Sequence, residues 1–234
     1  MRKIAIVVEG VTELVFVHRF LERLIGAHVI RAVEWWYRVS GHWRSRTYGA
    51  GTGEGIVLQV LLISPGGDGT VRSYIQERLP GWAAAAFTAV IGLRDLYTGD
   101  RNQTVDLEWN TADDRSLSDR YHIKTRVHFA VREIEAWFLL DAMMPSRFDG
   151  RLTPEWINER FGIDLRIADV EAIQRPSLLL RKILETIGGA YDKSEDSSHA
   201  VCSRIDYEQI YLGERGRCQS IDAFLRSLDC VFVG

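Results

Sequence analysis

Three acidic residues each stand where a short apolar run stops. Ile4–Val8 ends in Glu9-Gly10, Phe87–Leu93 ends in Arg94-Asp95, and Val127–Val131 ends in Arg132-Glu133. Short apolar runs bounded by turn residues read as buried strands of a parallel sheet. In open α/β sheets, ligands bind beyond the carboxyl ends of such strands. Acids delivered to that edge repel one another unless a cation sits between them. A hard, oxygen-seeking ion such as Mg²⁺ answers that need.

Further carboxylates stand beside these. Glu13 falls in the first turn of the helix that follows Glu9, where a negative charge also simply complements the helix dipole. Glu9, between Val8 and Gly10, has little packing purpose, which favours a functional role. Asp95 alone reads as a turn or helix cap; its parallel placement with Glu9 gives it weight. Glu133 and Glu135 flank Ile134 at the mouth of an apolar segment. If both are helical they point about 200° apart and cannot share a site. If Glu133 still lies in the strand-to-helix turn, it joins the sheet edge. Arg132 pairing with either acid is the structural alternative. Positive charge comes from Arg181, Lys182 and Lys193 downstream, although a solvated helical face explains the first two equally well.

Other chemistries find no support. The six histidines show no zinc spacing, and His128, alternating with Val127 and Phe129, reads as a core histidine. Ser64-Pro-Gly-Gly-Asp-Gly69 lacks the Lys-Ser/Thr of a phosphate-binding loop, and there is no Gly-x-Ser-x-Gly elbow. Three widely spaced cysteines fit a reducing cytoplasm rather than a disulfide framework. A net charge of −3 neither advertises nor excludes nucleic-acid binding. No signal-peptide core opens the chain, and no apolar stretch reaches the roughly 20 residues of a membrane span.

The elements that must carry these residues alternate. A strand at Ile4–Val8 leads into a helix from Thr12 to Ile25, with Leu14, Val17, Leu21 and Leu24 at helical spacing and Gly26 as a stop. A strand over Val29–Val39 follows. Gly41–Gly55, glycine-rich and interleaved with Trp43, Arg44, Arg46 and Tyr48, reads as a long mobile loop or a hairpin. Ile56–Ile63 is a strand or the start of a helix. Val71–Leu79 is a short helix stopped by Pro80-Gly81, and Ala85–Leu93 is the strand before Asp95. Gly99–Asp119 is a polar excursion with room for a short helix. Thr125–Val131 is a strand, Ile134–Met144 a nearly all-apolar helix ended by Pro145. Helical pieces follow at Pro154–Phe161, Ser177–Ile187 and Ser220–Leu228. The expectation is an α/β core over residues 1–145 and a helical C-terminal extension over 146–234, packed into one unit.

Strand–Glu-Gly-x-Thr-Glu–helix, then strand–Asp, resembles a Toprim domain, the metal-binding α/β core of topoisomerases, primases and OLD-type nucleases. The order Glu9-Gly-Val-Thr-Glu13, Asp95-Leu-Tyr97, Glu133-Ile-Glu135-Ala-Trp137, Pro176-Ser177, Tyr191-Asp-Lys193 is similar to that of a small stand-alone Toprim-like family of bacteria and archaea. Its members have unknown function and often sit beside an ATPase gene in neighbourhoods that point to phage defence. The resemblance covers most of the chain, and it is the order of the motifs that carries it. It implies a Toprim-like (Rossmann-like) mostly parallel sheet flanked by helices. It makes Glu9 a metal ligand or general acid/base and Asp95 the first acid of an Asp-x-Asp pair, with Tyr97 in the second place. Glu133 or Glu135 would replace the missing ligand; if neither does, the site is inactive. Lys193 would be the transition-state cation.

The expected function is hydrolysis of a phosphodiester in DNA or RNA by Mg²⁺ or Mn²⁺ held among Glu9, Glu13, Asp95, Glu133 and Glu135. Trp43, Arg44, Arg46, Tyr48, Arg181 and Lys182 would contact the nucleic acid. The protein would be a cytoplasmic effector of a partner ATPase in defence against foreign nucleic acid, with a homodimer open. Two alternatives remain: an inactive regulatory partner of the ATPase, and a metal-dependent hydrolase of small nucleotides.

Overall fold

A computed structural model describes residues 2–25, 30–39, 41–48, 58–67, 70–96 and 114–232. Arg2–Val8 (β1), Ile30–Val39 (β2), His42–Tyr48 (β3), Leu58–Ser64 (β4), Ala89–Leu96 (β5) and Lys124–Val131 (β6) form a six-stranded sheet in the order β3-β2-β4-β1-β5-β6. Every neighbouring pair is parallel except the β2–β3 hairpin. The helices are α1 (Val11–Phe20, continued by a wider turn over Leu21–Ile25), α2 (Thr70–Ala84), α3 (114–121), the single turn α4 (Glu135–Phe138), α5 (Pro154–Phe161), α6 (Pro176–Glu185), α7 (Glu195–Cys202), the short α8 (Tyr207–Gln209) and α9 (Gln219–Phe232). The fold is therefore α/β and Rossmann-like, with helices on the sheet and a helical C-terminal part.

Alternation along the strands explains the two faces. Ile4, Ile6 and Val8 of β1 and Leu93 of β5 face a core shared with α1, Trp137 and Phe224, so the C-terminal helices close that side. Ala5, Val7, Val90 and Val127 face α2 through Val71, Ile75, Leu79 and Trp82. A side chain at Gly92 would meet Ile75, Val127 and Val71 within 3.1 Å, so glycine lets α2 lie close to the sheet. No described helix is long and apolar enough to cross a membrane.

Several expectations need correction. The α2 helix does not stop before Pro80 but runs to Ala84. Buried Leu79 and Trp82 on either side of the proline hold the helix against the sheet, and that packing outweighs the lost N–H bond. The β5 strand starts at Ala89 and extends through Leu96, so Asp95 belongs to the strand, paired opposite Ala130. Ile134–Met144 is not one helix: after α4 the chain continues in turns, and Pro145 opens a short 3₁₀ turn. The segment is buried but for Met143, and the Asp141 carboxylate draws the chain out of the helix by accepting N–H groups of Met143 and Asp206 and pairing with Arg147. The stretch 41–48 is the hairpin alternative, and 58–64 is a strand. The α7 helix was not anticipated, although Ser194 caps it and Glu195 and Asp196 occupy its first turn. Tyr97 and most of the polar excursion lie outside the described residues.

Candidate active site

The first acid, Glu9, follows the last residue of β1. Its N–H donates to Leu93 O (3.1 Å), which carries the strand pairing one residue further. Its Oε2 accepts the Asp95 N–H at 3.0 Å, so β1 and β5 are stitched by the site itself. One turn on, Glu13 reaches back to accept the Gly10 N–H at 3.0 Å. A Cβ on residue 10 would lie 2.9 Å from that carboxylate oxygen, so glycine makes the reach-back fit. Asp95 shares the face of Leu93, towards α1, and its Oδ1 accepts the Ile134 N–H at 2.9 Å.

Glu133 lies in the turn between β6 and α4, after Arg132 with its left-handed backbone (φ +71°). The geometry that lets Glu133 join the sheet edge is therefore the one realised. Its carboxylate accepts from Ser177 N and Oγ, both at 2.9 Å, and from Lys193 Nζ at 3.2 Å. Glu135 is fully buried. Its Oε1 accepts from Tyr191 OH at 2.6 Å and lies 3.1 Å from Lys193 Nζ. Its Oε2 is buried without a hydrogen-bond partner. Lys193 thus bridges the two glutamates from a loop where its own φ is +62°.

Burial dominates the electrostatics. It pushes Glu13 up to about 7 against the opposing backbone hydrogen bond, and the charges of Glu135 and Glu9 push the same way. Burial also drives Asp95 well above its ordinary value, with Glu13 and Glu135 adding to it. Glu135 is raised by burial despite Lys193 and Tyr191. For Glu133 burial is overcome by Ser177 and Lys193, which hold it below its ordinary value. Lys193 is raised, because its three carboxylate neighbours outweigh its burial. The cluster is short of positive charge: Glu133 is satisfied, while Glu13, Asp95 and Glu135 compete for what remains.

Among the described residues, no three acidic, histidine or cysteine side chains already stand in coordinating geometry about one point. The donor chemistry nonetheless suits a hard cation: all ligands are oxygens, three are pushed towards protonation by burial and by neighbouring carboxylates, and Glu135 Oε2 is an acceptor with nothing to accept. Glu9, Glu13, Asp95, Glu133, Glu135 and Lys193, taken from four separate stretches of the chain, meet here.

The remaining candidates are spread. Arg46 pairs with Glu195, close to Lys193 in the chain, and lies over the Tyr37 ring. Arg44 is exposed, opposite Tyr37 in the hairpin. The Trp43 ring packs on Tyr74 (5.8 Å between centroids), on the α2 side. Tyr48 packs on His18 (4.4 Å) and Trp35 (4.7 Å). Arg181 donates Nε–H to the Tyr191 carbonyl at 2.9 Å, and Lys182 is exposed. His128 is a buried histidine bonded to Ser227 Oγ at 2.9 Å.

Two kinds of residue escaped the sequence. Ser177 and Tyr191 stood in the motif order without a role; they hold Glu133 and Glu135. Thr12 and Ser198, buried and 3.0 Å apart, tie α1 to α7 beside the cluster; Thr12 stood in the first motif without a role, and nothing local to it points to a serine 186 positions away.

Neither the curated proteins nor the solved structures include a match to this chain. The family model described as "Domain of unknown function (DUF4276)" matches residues 8–229, a span that includes every member of the cluster, and the chain belongs to that family.

Proposed function

We propose that this protein is a divalent-metal-dependent phosphodiester hydrolase of Toprim type, a nuclease that works with a partner ATPase against foreign DNA or RNA. The observation that carries the reading is the gathering of Glu13, Asp95 and Glu135 at the carboxyl edge of a parallel sheet, each raised first by burial and then by the charge of neighbouring carboxylates. Glu9, Glu13, Asp95, Glu133 and Glu135 are the oxygen donors that would hold Mg²⁺ or Mn²⁺. A bound ion would supply an activated water and charge stabilisation at the leaving oxygen. Lys193, one-third exposed, offers its charge to a phosphoryl oxygen at the rim while Glu133 fixes its position. Arg44 and Arg46, on the far side of the same sheet edge, would hold the phosphate backbone.

One observation favours a second reading, a catalytically inactive partner of the ATPase. Lys193 already bridges Glu133 and Glu135, and a tethered amine in that place serves as a permanent substitute for a metal.

Calorimetry with Mn²⁺ separates the two. The nuclease reading expects binding by the wild type, loss of binding in Glu9→Ala and Asp95→Ala, and Mn²⁺-dependent cleavage of supercoiled DNA, single strands or tRNA. A wild type that binds no Mn²⁺ overturns the metal reading. Metal binding with all three substrates intact favours the inactive partner. Cleavage retained by Glu9→Ala removes the cluster from the chemistry.

A further inference from the structure

Beside the cluster, on the β6 side, runs a groove of about 370 Å³ lined by Arg132, Glu133, Gln174, Arg175, Ser177 and Arg181 among others. Its three guanidinium groups come from three places: the turn after β6, the residue that precedes α6, and the second turn of α6. The one acid among these lining residues is Glu133. Its carboxylate is already engaged by Ser177 and Lys193, and no described carboxylate pairs with Arg175 or Arg181. Arg181 is anchored through Nε to the carbonyl of Tyr191, which fixes it to the loop that carries Lys193. Arg132 holds a left-handed backbone braced by its N–H bond to Leu96 O at 2.8 Å. Planar guanidinium forks match phosphate oxygens in a way that an ammonium does not, and the volume is that of a small-ligand cleft.

The groove also has a useful position. From β1 to β6 the sheet steps through β5, two strand spacings or about 10 Å. From Glu133 in the groove wall the sheet edge leads to Asp95 on the adjacent β5 and then to Glu9 after β1, so a phosphate in the groove would lie beside a group held at Glu9 rather than on it.

We infer that this arginine groove seats a phosphate flanking the scissile one, so that the backbone of a single nucleic-acid strand runs along the carboxyl edge of the sheet from the acid cluster into it. The inference rests on reading the cluster as a phosphodiester hydrolase, and it names that site's substrate contact.

The test is fluorescence anisotropy of a short fluorescein-labelled single strand, DNA and RNA in separate arms, with the full chain in EDTA. Because no metal is present, failure here leaves the Mn²⁺ reading standing, and failure of Mn²⁺ binding leaves this one standing. Arg175→Glu should weaken binding at least tenfold and lower the slope of log affinity against log salt by about one. Arg175→Lys, which keeps the charge and loses the fork, should fall between Arg175→Glu and wild type. Arg160→Glu, on the exposed face of α5, is the charge control and should bind as wild type. Arg181→Lys provides a second lesion in the same groove, and thermal melts of all variants exclude misfolding. A third arm displaces the labelled strand with a nucleoside monophosphate. Equal weakening by Arg175→Glu and Arg160→Glu overturns the inference, as does unchanged binding in both groove variants. Affinity for the monophosphate with none for either strand overturns it too.

Discussion

Glu135 and Asp141 lie six positions apart in one buried segment, and neither side chain has any exposure to solvent. Their surroundings differ. Asp141 accepts the N–H groups of Met143 and Asp206 and pairs with Arg147, so both of its oxygens are engaged. Glu135 has Tyr191 and Lys193 on Oε1 and nothing on Oε2, and other carboxylates crowd it. A buried carboxylate with all its bonds made is a structural staple, because removing it orphans every donor it served. One left short of partners is destabilising where it stands, and such groups persist where function needs them. The comparison separates scaffold from site without any appeal to the family.

Asp141→Ala should show the largest effect. Two backbone N–H groups and the Arg147 guanidinium lose their acceptor, and a loss of about 3 kcal/mol in urea unfolding is expected. A loss under 1 kcal/mol would erase the contrast between the two carboxylates.

Glu13→Gln should act in the opposite direction. In the folded metal-free chain burial lifts Glu13 from its ordinary 4.5 to about 7, so folding takes up a proton between these limits. The contribution of Glu13 to stability therefore falls as pH rises from about 4.5 to 7 and is flat above. In EDTA at pH 8 the glutamine variant should be the more stable, by up to about 3 kcal/mol, and the gain should vanish by pH 4. A variant less stable than wild type at both pH values would show that Glu13 is a staple as well.

Glu135→Gln should move stability by no more than about 1 kcal/mol, since an amide keeps the Tyr191 bond and relieves the charge crowding. It should nonetheless lower Mn²⁺ affinity at least tenfold. Unchanged affinity would place Glu135 with Asp141 as structure. The smallest effect belongs to Lys182→Ala, exposed on α6, with a change in unfolding free energy within about 0.5 kcal/mol; a larger one would show that α6 is held by more than its buried face.

Much of this arrangement was legible in advance. Strand ends at Val8 and Val131 followed from apolar runs, and the helical piece at Pro154–Phe161 is the observed α5, capped by Thr153 and closed by Gly162. Three segments misled. Pro80 looked like a stop because local backbone chemistry says so, whereas packing on both sides of it decided otherwise. Residues 134–144 looked helical because they are apolar, yet a chain buried almost throughout, with only Met143 exposed, has no amphipathic period to report its conformation. The α7 helix is short, and its cap was the only notice of it.

Local pattern by itself determined that acids arrive at the ends of parallel strands, because burial and period two are properties of neighbouring residues. Only the tertiary structure decided what each acid meets there. Lys193 lies 60 positions from Glu133, and Tyr191 lies 56 from Glu135; nothing in either segment encodes the other. The fold brings them together because the C-terminal helices must cover the apolar face of β1, β5 and α1, and that closure delivers one lysine to a site that holds five carboxylates.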